Sequence, residues 1–587
     1  MRKSYSNKDV FVEYIVCVAI TLTLMIVIGK VFSVILISPD DTTYKAIMSG
    51  AFTGNPEAHC YFIQYPLAWL IVQLYGIWNN VEWYTLFLIG CHGLCYLTIF
   101  TRVRNVSRNY KWKYLVLAVI VISILWVQHL VNIEWTVTSG ILGATAIFRY
   151  ITIPKEGGKY YLCFEYAICI ALLLLSFCLR SSVAYMYVPV IGICWIKRIY
   201  DAQSKKTKKS EIKINVIFLI CSILSISGTI AVHHFAYNGD EWKDYIKYTE
   251  NRSALVDFYG YPDYDKYSSV YNDIGISKEA YDLVVKDYDY AIAFYDKENL
   301  DLTSIAEVAK AMDEDNKSNA ISSAVSLIKK TLADPECKVY IISIIILGVV
   351  NSIVLCKQNK SDLGFVYISV IWAIAIVFYL ALKGRFPVRV AVTIGMGLDA
   401  VLFANIFQVV AEFSKNNMYR KWNINTGIIY ATVCSILIIT SGVRLNTVYQ
   451  KNTSNRILSI STMNIIDYCN KHTENIYFKD FISFTQRGEL FLHNSEYVAN
   501  NYIRTGGWLY NTPVYRKRQE IIGCGDLIQA IRGGNIYYLV KSERSDDVIE
   551  RLDLFFEAKN ENITIEIVDN FNTESDSVDV LHFKINY

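Results

Sequence analysis

The sequence predicts an α-helical polytopic membrane protein with about eleven spans, its N-terminus inside and its C-terminus outside. A large extracytoplasmic loop and a C-terminal extracytoplasmic α/β domain complete the predicted fold. Three observations carry this. The 587 residues are 53% hydrophobic and only 19% charged, with mean hydropathy +0.27, too apolar for a soluble multidomain chain. The apolar residues fall in continuous runs of near-spanning length, without the period-two alternation of a membrane barrel. Finally, the basic segments (Arg102 to Lys113, Lys197 to Lys213, Lys357 to Lys360, Lys415 to Lys421) separate those runs at intervals that fit cytoplasmic loops.

Taken in order, spans are expected at 10–37, 82–101, 114–130, 136–150, 161–179, 183–196, 214–233, 338–356, 363–382, 390–411 and 425–441. The first follows a basic N-terminus (Arg2, Lys3, Lys8) and is too long for the apolar core of a cleaved leader, so it reads as an uncleaved signal anchor. The stretch Tyr61 to Trp78 must lie along or dip into the outer surface, because counting it as a span inverts every later basic loop. The domain reading is then 1–233 for the first helices, with an outer loop at 38–83, and 234–337 for an acidic, Tyr-rich outer loop. A second helix group covers 338–441, and 442–587 forms an outer domain. In that last part short β-rich runs (475–479, 535–540, 563–568, 578–583) alternate with helical patterns.

Of 14 cysteines, most sit inside apolar runs as small hydrophobes. No CxxC pair suggests zinc. Cys469 and Cys524 are equally readable as a disulfide or as two thiols. No Gly-rich phosphate loop precedes a helix, which argues against cytoplasmic nucleotide chemistry. No nucleic-acid partner is expected either.

The chemistry-bearing candidates gather at outer helix ends. Asp40 and Asp41 follow the first apolar run, and Tyr44, a Gly-rich turn, Glu57, His59 and Tyr65-Pro66-Leu67 come after them. Carboxylates at a membrane edge bind metal, take protons or pair with bases. The plainer alternative is a helix cap, with Asp40 capping a short helix over Thr42–Met48. On that reading Asp41 is the freer acid. Arg180 stands at another outer end, and Arg385 and Arg389 flank Pro387 at a third. Outward arginines run against the positive-inside bias and suit a phosphate, which guanidinium binds bidentately. The alternative is snorkelling to headgroups. Glu134, beside Trp135 and near His129, can line the same cavity. In the large loop, Trp242, Tyr245, Tyr248, Tyr259, Tyr261, Tyr264, Tyr288 and Tyr290 lie among carboxylates, a composition suited to sugars or to a packed cap.

In this topology, with Asp40-Asp41, the His59 to Leu67 stretch, Leu179-Arg180-Ser181-Ser182 and Lys383-Gly384-Arg385-Phe386-Pro387-Val388-Arg389, the chain resembles the GT-C superfamily of polytopic glycosyltransferases. The resemblance implies a polyprenyl-phosphate-linked sugar donor and an envelope glycan, lipid or protein acceptor outside the cytoplasm. It implies that Asp40 or Asp41 is a base or metal ligand, with Arg180, Arg385 and Arg389 on the donor phosphate. Tyr44, His59 and Glu134 would line the substrate site. A divalent cation is possible through the acid pair with Glu57 or His59, and no ligand set fixes it. Abundant Ile, Lys, Asn and Tyr with 9 prolines point to an AT-rich bacterium and hence its plasma membrane. The rival readings are an envelope polysaccharide polymerase, expected to have two Arg-rich outer loops; a transporter or flippase, expected to carry charge mid-span; and an inactive scaffold.

Overall fold

The computed structural model describes the chain except residues 1–6, 107–111, 155–158, 204–207, 298–299, 316–319, 356–359, 416–425, 490–499 and 586–587. Apolar runs become helices because a bilayer leaves no other way to satisfy the backbone of a single segment. These are α1 (Asn7–Val31), then α4 to α9 (Trp83–Val106, Lys113–Val131, Trp135–Thr152, Lys159–Leu179, Ser181–Gln203, Lys208–Ala236), once two short ones, α2 (Pro39–Ser49) and α3 (Tyr65–Ile77), have intervened. Between α9 and the second group lie α10 (Asp240–Ser253), α11 (Ser268–Asp273), α12 (Lys278–Lys286), α13 (Tyr290–Ala293), α14 (Thr303–Asp315) and α15 (Ala320–Leu332). The second group is α16 (Pro335–Leu355), α17 (Lys360–Leu382), α18 (Val388–Lys415) and α19 (Thr426–Lys471). Among the described residues nine helices are long and apolar enough to cross a membrane. Expected spans 136–150 and 425–441 are helical but outside those nine. The first falls in α6, which is buried along its whole length; the second opens α19, a single helix of 46 residues.

Three expectations need correction. The first span ends at Val31, not Ile37, because Ile35–Leu36 form a strand, β1. It pairs in parallel with β2 (Asn132–Ile133) and antiparallel with β4 (Gly488–Glu489). Next, no break occurs at 442: α19 runs through it into the C-terminal domain. Lastly, ionisable groups are not confined to one end of the bundle. His92 of α4 and Asp399 of α18 are buried within spans, and Arg149 and Arg102 share Glu165 at 2.9 and 3.7 Å. Tyr61 to Trp78 yields only α3, 13 residues, about 20 Å and too short to span.

The C-terminal domain is a five-stranded sheet in the order β5 (Tyr502–Arg504), β3 (Ile476–Lys479), β6 (Ile536–Lys541), β8 (Ser577–Ile585), β7 (Ile563–Asn572). The first three strands are parallel and the last two antiparallel. The segment α10–α14 docks on it. Asp287 accepts from Arg544 Nη2 and from Arg551 Nε and Nη2, each at 2.7 Å, and Asp289 accepts from Tyr538 Oη at 2.6 Å. Four of the loop's tyrosines, Tyr245, Tyr248, Tyr271 and Tyr290, are buried core, so packing, not a sugar-facing surface, accounts for them. Cys469 and Cys524 are separate buried thiols.

Candidate functional site

Helix α2 sets the acid pair. Ser38 is its N-cap, its Oγ accepting from Asp40 N at 3.2 Å, and Pro39 occupies the first turn, where its missing N–H costs nothing. Asp40 is therefore not the cap, and the two acids divide differently from the sequence reading. Asp41 is fully buried. Its Oδ1 accepts from Tyr84 Oη at 2.6 Å and its Oδ2 from Trp135 N at 3.2 Å. Burial pushes its carboxyl well above the usual range, with Glu134 and Asp40 adding to the rise, against the pull of the two hydrogen bonds. Asp40 is only partly buried, and its Oδ1 accepts from Trp508 Nε1 of the C-terminal domain at 2.9 Å.

Around Asp40 stands an aromatic wall. Tyr44 packs on Trp135 and on Trp508, both at 5.3 Å between centroids, and Phe62 lies 6.1 Å from Trp135 and 5.8 Å from Trp508. The guanidinium of Arg180, at the α7–α8 junction, lies over the rings of Phe62 and Trp135 at 4.7 and 4.4 Å. It has no ion pair with any described residue. Burial lowers its affinity for a proton and Arg389 acts the same way, while Tyr44 and Asp40 oppose the change. Two further donors here lack partners: Tyr44 Oη and Trp135 Nε1 are buried without a hydrogen bond among the described residues. Orphaned buried donors are rare and call for an acceptor.

Glu134, just before α6, is buried and contacts Arg389 Nη1 at 3.4 Å. Burial raises its carboxyl, countered chiefly by Arg389. Both line a cavity of about 280 Å³ with His129, Asn132, Glu336 and Lys451. Arg385 is turned to Asp257 at 2.9 Å and borders a neighbouring cavity of about 520 Å³. Thus Asp40, Asp41, Tyr44, Glu134, Arg180 and Arg389 come together, with Arg385 at the margin. His59 stays outside. Its Nδ1 lies 2.7 Å from Glu57 Oε1, its Nε2 3.2 Å from Ala236 O, and its ring stacks on Trp242. Although burial opposes it, this pairing brings the Glu57 carboxyl below its ordinary range. Among the described residues no three His, Cys, Asp or Glu side chains form a metal-binding group.

Sequence reasoning missed Trp508, Phe62 and Arg487, the last of which favours ionised Glu134. Trp508 carried one readable signal, the preceding Gly506-Gly507. Gly507 has φ +89°, and a Cβ on Gly506 would meet Tyr288 O at 2.1 Å, so a tight turn fixes the indole.

This helical architecture defines a polytopic membrane protein. No family model and no curated protein matches the chain. Among solved structures it aligns with ArnT from Cupriavidus metallidurans, in the apo state and bound to undecaprenyl phosphate. Each alignment has TM-score 0.40 and 9% identity and covers 96% of this chain and 97% of that one. The likeness is too distant to carry a conclusion about chemistry.

Proposed function

We propose that the chain is a membrane glycosyltransferase of the GT-C type. It takes a sugar from a polyprenyl-phosphate donor and attaches it to an envelope acceptor on the extracytoplasmic side. The observation that carries this reading is the Arg180 site. A guanidinium with no ion pair among the described residues, beside two buried donors with no hydrogen bond there, lies within electrostatic reach of Asp40. Such a set suits an anion whose charge grows as it leaves, as a lipid phosphate does.

In the reaction, the acceptor oxygen attacks the sugar C1 while the bond from C1 to the phosphate oxygen breaks. The electron pair leaves with the lipid phosphate, which Arg180 and Arg389 stabilise. The acceptor proton passes to Asp40, the more open acid, held at Oδ1 by Trp508. Asp41, with both oxygens engaged, is a positioning residue that ties α2 to α4 and to the start of α6. Glu134 orients Arg389.

The test uses full-length protein in proteoliposomes with a panel of decaprenyl-phosphate-linked hexoses and pentoses and an envelope extract as acceptor, reading released decaprenyl phosphate. Asp40→Asn abolishes release, and Asp41→Asn lowers it while preserving donor binding. Undiminished release by both variants and by the double variant overturns the reading. A transporter of lipid-linked sugars is the second reading, favoured by Asp399 and His92 inside the spans. It predicts donor translocation without release of lipid phosphate.

A further inference from the structure

The C-terminal domain carries a second set of cations with no ion pair among the described residues. Lys479 ends β3 and Arg504 ends β5, and the two are aligned in the parallel register, so their side chains leave the same face of the sheet about 5 Å apart. Lys479 is 3% exposed. Its ammonium lies over Phe484 at 5.1 Å and the Arg504 guanidinium over Phe481 at 5.3 Å. Neither has a carboxylate within 4.0 Å among the described residues. The other cations near them are engaged: Arg544 and Arg551 with Asp287, and Lys541 with Asp576. The neighbouring Asp480 is taken by Ser483 and Arg544. Burying an ammonium with no counter-charge is costly unless an anion is meant to join it. Burial, with Arg504 beside it, pushes Lys479 down to about 7. The carboxyl ends of parallel strands are also where open α/β sheets bind ligands.

Arg504 Nη1 reaches across the domain boundary and donates to Thr43 Oγ1 at 3.2 Å. Thr43 and Tyr44 follow Asp40 by three and four residues on α2 and flank it on one helical face. Asp40 therefore stands between two cationic sites, Arg180 on the Tyr44 side and Arg504 on the Thr43 side.

We infer that Lys479 and Arg504 form a second anion site, which holds a phosphate or carboxylate group carried by the acceptor beside the hydroxyl that Asp40 deprotonates. The assignment to the acceptor rests on the transferase reading; the anion site itself does not.

The experiment titrates inorganic phosphate into full-length protein in phosphatidylcholine nanodiscs, on an Arg180→Gln background that removes the first site. Lys479→Met and Arg504→Gln each weaken phosphate binding at least tenfold, while the ligand-free melting temperature of the Lys479→Met protein holds or rises. Unchanged phosphate affinity in both variants overturns the site. So does a lower ligand-free melting temperature in both, which marks the cations as structural. Acetate in place of phosphate identifies a carboxylate ligand. Competition seen only in phosphatidylglycerol nanodiscs identifies a lipid headgroup as the source. Phosphate binding that persists in a protein inactive in transfer separates failure of the transferase reading from failure of the site.

Discussion

Arg180→Gln is the sharpest perturbation of the proposed site. The guanidinium sits over two rings, 4.7 Å from Phe62 and 4.4 Å from Trp135. Each such contact stabilises by about 0.5–2 kcal/mol, depending on desolvation. Against that stands the cost of holding a partly buried cation with no ion pair among the described residues and with Arg389 nearby. The two effects offset, so the melting temperature of the ligand-free variant stays within about 3 °C of wild type. Binding is different. A charge-assisted hydrogen bond contributes about 1.5–3 kcal/mol, and a bidentate phosphate contact shared with Arg389 loses roughly 2–3 kcal/mol when one arm goes, or about 30- to 150-fold. Arg180→Lys keeps the charge but not the fork or the stacking, and loses about tenfold. The assay is competition by decaprenyl phosphate against transfer in proteoliposomes, run beside thermal unfolding. A variant that melts well below wild type yet binds decaprenyl phosphate normally refutes the reasoning, because Arg180 would then be a packing residue.

Two further predictions concern the scaffold. Burial pushes Asp289 up to about 7, against the pull of Tyr538 and Ile292 N. The folded state therefore holds this proton more tightly than the unfolded state. Its contribution is full below about pH 4 and is lost as pH rises through about 7. Asp289→Asn keeps an acceptor oxygen for Ile292 N, turns an amide N–H toward Tyr538 Oη and removes the titrating group, so it flattens that dependence, which hydrogen exchange of α12–α13 between pH 5 and 8 would read; an unchanged profile refutes it. Gly143 on α6 faces Tyr187, whose ring lies 2.4 Å from where a Cβ would sit, while nothing lies within 4 Å of a Cβ on Gly192. Gly143→Val should destabilise by about 1–3 kcal/mol from overpacking, and Gly192→Val should not. Equal melting temperatures for the two refute the packing argument.

The helical framework was legible because apolar runs register locally: the run 214–233 becomes Lys208–Ala236, extended by the polar turns at its ends. What escaped depends on partners far away in the chain. Ile35 and Leu36 look like the end of a span, and only Asn132–Ile133 and Gly488–Glu489 turn them into a strand. Trp508 reaches Asp40 and Arg504 reaches Thr43 from more than 460 positions away, a separation that no periodicity or motif encodes. Buried cations were hidden for a similar reason. Lys479 ends the apolar run Ile-Tyr-Phe and reads as an exposed strand terminus until the sheet and Phe484 close over it.

The acid pair shows where local reasoning fails and what replaces it. Adjacent aspartates after a span are equivalent by composition, and capping logic set Asp40 aside. Once Ser38 takes the cap, the two differ only in what tertiary structure brings to them. On a helix, neighbours in sequence point about 100° apart, so one acid must face the bundle when the other faces the domain. Asp41 turns inward to Tyr84 and the α6 backbone, where a proton has no acceptor hydroxyl to come from. Asp40 turns to the cleft edged by Tyr44, Trp508 and Arg180. Exchange of roles between the two would need α2 to rotate by that same angle, which the Ser38 cap, the Tyr84 bond and the Arg504 bond to Thr43 together oppose. The order of loss expected for transfer, Asp40→Asn before Asp41→Asn, follows from that helical geometry and not from the chemistry of the carboxylates.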